Sequence, residues 1–88
     1  MTTAEYLAKA SAHFGIDPSK KFGIGDRAFD KRCLIAYHAI KEMQTPYREL
    51  EKEMNSDGIE LRLMWLWAEG SLNTVDARRK YNQFKSTL

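Results

Sequence analysis

Eighty-eight residues with 14 Lys and Arg, 12 Asp and Glu and a single cysteine specify one small domain, with room for a modest core and none for a catalytic cleft between domains. A chain that is 43% hydrophobic and 30% charged is not of the disordered class, and one cysteine excludes an internal disulfide. No uncharged run approaches the ~20 residues of a membrane span, and Met1-Thr2-Thr3-Ala4-Glu5 lacks the basic-then-apolar layout of a secretory signal, so the expected location is the cytoplasm, with no membrane partner.

Capping signals divide the chain into helices. Thr2 and Glu5 have the spacing of a capping box, and Tyr6, Leu7, Ala10 and Phe14 recur at helical intervals up to Gly15, which predicts a first helix over about residues 3–14. Pro18, Gly23 and Gly25 make the next stretch a loop, pinned by Ile16, Phe22 and Ile24. Asp26 opens a longer helix over about residues 26–43, with Phe29, Cys33, Ala36, Tyr37 and Ile40 inward. Thr45-Pro46 predicts a capping threonine followed by a proline in the first turn of a short third helix, about residues 46–54, with Tyr47, Leu50 and Met54 inward.

Asp57 with Glu60 repeats the capping-box spacing and opens a helix over about residues 59–69. From Ile59 to Glu69 this helix is apolar almost all round; only Arg62 and Glu69 share a polar stripe, at about 100° per residue. A helix of this kind has to be covered by its neighbours or by a second molecule. The expected cover is internal: Leu63, Leu66 and Trp67 in one core with Phe29, Tyr37 and Ile40, and this helix at its centre. Asn73 with Asp76 marks a fifth helix over about residues 74–86, on which Ala77, Tyr81, Phe84 and Leu88 align. No strand-like alternation competes, so the chain reads as all-α, a single compact bundle of about five helices with a helix-turn-helix-like corner between the third and fourth.

Charge alternates along the chain. Lys20, Lys21, Arg27, Lys31 and Arg32 against Asp26 and Asp30 make the second quarter basic. Glu49, Glu51, Glu53, Asp57 and Glu60 against Arg48 and Lys52 make the middle acidic, and Arg78, Arg79, Lys80 and Lys85 against Asp76 make the tail basic again. Two basic segments joined in space form an anion-binding face; left apart, they are solvated helix surface. His13, His38 and Cys33 show no metal-binding or nucleophile–base spacing, and Gly23-x-Gly25 lacks the rest of a phosphate loop. The expectation is a protein that is not an enzyme, with no catalytic residues, no metal and no cofactor.

Phe14-Gly15-Ile16, then Lys31-Arg32-x-x-Ile35-Ala36-Tyr37 running to Lys41-Glu42-Met43, then Thr45 and Leu50, resemble the C-terminal helix-turn-helix DNA-binding domain of the bacterial replication initiator DnaA. The resemblance covers about half the chain, roughly residues 7–55, and implies a helical fold and duplex DNA as a partner. It stops at the start of the would-be recognition helix. Where that family carries a basic, histidine-containing signature, this chain has Ser56-Asp57-Gly58-Ile59-Glu60, whose carboxylates would face phosphates.

Two readings follow. In the first, the protein is a small regulatory or accessory nucleic-acid-binding protein that touches backbone phosphates through Lys20, Lys21, Arg27, Lys31, Arg32, Arg78, Arg79, Lys80 and Lys85. In the second it is a protein–protein adaptor or a homodimer, using the helix of Trp65 and Trp67 or the acidic stretch with Glu49 and Glu53. Exposure of either tryptophan discriminates between them.

Overall fold

A computed structural model describes residues 1–21, 23 and 26–88; the expected loop anchors Phe22 and Ile24, and Gly25, lie outside them. The described residues form five helices and no strand: α1 (Thr3–Phe14), α2 (Arg27–Lys41), α3 (Tyr47–Glu53), α4 (Gly58–Ser71) and α5 (Val75–Ser86).

Most of the expected caps are present. The Thr2 hydroxyl accepts from the Glu5 N–H and Gly15 ends α1 in the left-handed region at φ 69°, a conformation that costs glycine nothing. Asp26 accepts from the Ala28 N–H and Asp57 from the Glu60 N–H. Two assignments are corrected. Pro46, not Thr45, occupies the cap position of α3, and no side chain caps that helix; the Thr45 N–H instead returns to the Ala39 carbonyl, closing off α2. α5 is capped one residue later than Asn73, by the Thr74 hydroxyl on the Ala77 N–H at 3.2 Å.

The larger correction concerns the centre of the bundle. It is α2, buried without interruption from Arg32 to Ala39, that the other elements surround. Tyr6, Leu7 and Ala10 of α1, Leu50 of α3, Met54 just after it, Leu61, Met64 and Ala68 of α4, and Tyr81 and Phe84 of α5 complete one core with it, and α4 packs on α2 more extensively than any other pair of helices does. Phe29 and Ile40 are partly buried against this core and Tyr37 is fully part of it, but Leu63, Leu66 and Trp67 are exposed. The physical reason is redundancy. Leu61, Met64 and Ala68, with Leu72, already give α4 a complete inward stripe at helical spacing, so its remaining apolar residues have no inner surface left to cover.

Arg32 ties the corner between α3 and α4 to α2. Its Nε donates to the Pro18 carbonyl at 2.8 Å and its Nη2 to the Met54 carbonyl at 2.7 Å and to the Ser56 hydroxyl, while Nη1 lies 3.4 Å from the Met64 sulfur. Asn55 turns the chain there at φ 51°, and the Ser56 N–H reaches back to the Glu51 carbonyl, the closing bond of a left-handed helix terminus. The guanidinium thus satisfies a carbonyl that the end of α3 leaves over.

Candidate interaction surface

On the side of α4 opposite Leu61, Met64 and Ala68, an apolar stripe faces solvent. Ile59 is 73% exposed, Leu63 60%, Leu66 46% and Trp67 43%. Along the helix these positions, with Gly70, fall at i, i+4, i+7, i+8 and i+11, within about 100° of arc. Isolated exposed leucines are common on soluble proteins, whereas a contiguous stripe of large apolar side chains marks a surface that is covered in use.

Each edge of the stripe has its own character. On one side Trp67 leans on Phe29, with ring centroids 5.4 Å apart and planes at 77°, and its indole N–H donates to Asp30 at 3.1 Å. These contacts hold the ring in place while leaving one face to solvent. Phe29, Leu63, Met64 and Trp67 line a groove of about 320 Å³ that also includes Lys21 and Glu60, themselves ion-paired at 3.1 Å. Along the opposite edge stand Arg62 and Glu69, both exposed and neither in an ion pair among the described residues. Beside them Trp65 is half-buried against Tyr37 at 5.6 Å.

The nine candidate phosphate-binding residues are not gathered into one patch. Arg32 is 3% exposed and its donors are taken by the Pro18 and Met54 carbonyls and the Ser56 hydroxyl, so it is no surface cation. Lys31 is half-buried and donates to the Phe14 carbonyl at 3.3 Å. Lys21 is paired with Glu60, Lys80 with Asp76 at 3.2 Å and Lys85 with Glu42 at 3.3 Å. Where α2, α4 and α5 meet, Asp30, Asp76 and Lys80 line the same hollow, so the junction of the two basic segments is itself acidic. Lys20, Arg27, Arg78 and Arg79 remain exposed, the last two sharing the outer face of α5 with Asn82 and Gln83.

The acidic candidates are divided as well. Glu49 accepts a 2.6 Å hydrogen bond from the Thr3 hydroxyl, joining α3 to the start of α1, and Glu53 is half-buried. Burial, with a smaller contribution from Asp30, pushes the Cys33 thiol up to about 12, which keeps it protonated and unreactive. His38 is buried in an aromatic cluster, bonded through Nδ1 to the Tyr6 hydroxyl at 2.8 Å, and both it and His13 pack on the Phe84 ring. No group of three His, Cys, Asp or Glu side chains is placed to hold a metal among the described residues, and none of their helices is long and apolar enough to cross a membrane.

The residues that sequence reasoning missed are Ile59, Leu63 and Leu66. A signal for them exists: Leu61, Met64, Ala68 and Leu72 already make a full inward stripe by themselves, so a second apolar stripe on the same helix has to face outward. Compared with protein-family models, with curated proteins and with solved structures, the chain matches none.

Proposed function

We propose that this chain is a small non-enzymatic interaction module that docks onto a protein surface through the outer face of α4. The observation that carries this reading is the exposed stripe Ile59, Leu63, Leu66 and Trp67 on a helix whose inward face is already complete. Its apolar centre, aromatic margin and charged rim match the anatomy of a protein interface. The same stripe argues against major-groove readout by α4, since base edges offer hydrogen-bonding groups that leucine and isoleucine leave unpaired. Leu63→Asp tests the reading: the variant should melt within about 1 kcal/mol of wild type, as an exposed position does, while losing any protein that wild type retains under native purification. A variant that keeps the same protein bound would refute docking through α4.

One observation favours a second reading, that of a phosphate-backbone contact. The outer face of α5 presents Arg78 and Arg79 with Asn82 and Gln83 and without a carboxylate. Under this reading, titration of labelled duplex at low and moderate salt gives a log–log slope that falls by roughly one for each phosphate contact removed by Arg78→Ala or Arg79→Ala. Absence of binding at low salt removes it.

A further inference from the structure

Resting on the proposed docking role of α4, we infer that its occupant is the α4 of a second copy of this chain, packed antiparallel about a two-fold axis at the level of Trp65 and Leu66. The charges on the edge of the stripe point to this arrangement. Arg62 and Glu69 lie on the same edge, seven residues or about 10.5 Å apart along the axis, and both are exposed and in no ion pair among the described residues.

When two antiparallel helices meet face to face about such an axis, each edge meets the same edge of the other helix with its direction reversed. Arg62 then stands opposite the partner's Glu69, and Glu69 opposite the partner's Arg62, so two reciprocal ion pairs close along one margin. On the other edge Glu60 is displaced from its own copy by about 16 Å along the axis, and no like charges meet. Gly70 supplies the complementary shape. A Cβ built there would meet nothing within 4 Å, so the stripe ends in open space with no side chain of its own, and the same two-fold brings Leu63 of one copy between Leu66 and Gly70 of the other. The charge order and the room left at Gly70 therefore agree on one register.

Sedimentation equilibrium of the full chain over a wide concentration range tests this. Wild type should form a dimer. Arg62→Glu and Glu69→Arg should each weaken it roughly tenfold or more, since each sets like charges opposite one another at two symmetric places, and the two together should restore it to within a few-fold of wild type. Both side chains are exposed, so at concentrations where wild type is itself monomeric the circular-dichroism melts of all three variants should match it. A chain that stays monomeric at every concentration overturns self-association and leaves docking to another protein to the Leu63→Asp experiment. A dimer lost on Leu66→Asp but indifferent to the charge exchanges overturns the antiparallel register alone. Survival of the dimer through Leu66→Asp overturns the inference, since the two copies then meet elsewhere than on α4, and the docking role of α4 is decided by the Leu63→Asp experiment.

Discussion

Arg32 and His38, the polar residues of the buried run of α2, do different work. Arg32 is the only charge in that run, and its donors go to carbonyls and a hydroxyl rather than to a carboxylate, which is how a charge is tolerated in a core. Sequence placed it among the surface cations because a basic residue at the end of a basic stretch is usually solvated. Its carbonyl partners, Pro18 and Met54, are 14 and 22 positions away and leave no local pattern. His38 is held against Tyr6, with the ring centroids 5.6 Å apart and the planes 10° from parallel, and burial lowers its pKa from the ordinary 6.5, Glu42 opposing and Lys85 assisting. The folded state therefore refuses a proton that the unfolded chain accepts. Stability contributed by the neutral ring is complete above about pH 6.5 and is lost progressively as pH falls below it, until His38 protonates in the folded state too. Urea melts from neutral pH down to about pH 5 should show the midpoint falling, and the His38 ring resonances should titrate below the free-imidazole value; a midpoint flat across that range would refute the burial argument.

At the level of elements, the five helices and their order were legible, because Thr2, Gly15, Asp26 and Asp57 are caps whose chemistry is local. Which helix lies at the centre was not. α4 has the more apolar sequence and α2 carries Arg32 and His38, yet α2 is the enclosed one. Apolar content tells how much surface a helix can bury. How much it does bury depends on how many neighbours reach it, a property of long-range packing that no window of sequence contains. Trp65 is half-buried and Trp67 is 43% exposed, so the two tryptophans of one helix have different surroundings. Gly70 illustrates the same point within the helix: it sits in ordinary helical backbone with open space around it, so local packing does not require a glycine. Gly70→Ala should stabilise the subunit by about 0.5–1 kcal/mol in chemical denaturation. A destabilised variant would mean that the backbone at this position is less helical than described.

For the molecule as a whole, a radius of gyration of 11.6 Å is close to the ~12 Å expected for a compact chain of this length. Among the described residues one core cluster draws on every helix, the short α3 through Leu50 alone, and no subset of helices has a core of its own. Unfolding should therefore be a single cooperative event, with far-ultraviolet circular dichroism and tryptophan emission giving the same midpoint within error; separated midpoints would show that α5 or α1 detaches first. The candidate surface was half legible on the same grounds. That the helix of Trp65 and Trp67 needs cover is written in its composition, while the side that stays uncovered is decided by α2. The unequal setting of the two indoles gives the protein an optical handle. Trp67, hydrogen-bonded to Asp30 and open on one face, should emit at longer wavelength and be the one reached by acrylamide, with Trp65 shielded behind Tyr37. A molecule seated on α4 as proposed would shift that emission to the blue and protect it from the quencher, so the chain's own indoles would report occupancy of this face by colour alone, without an attached label.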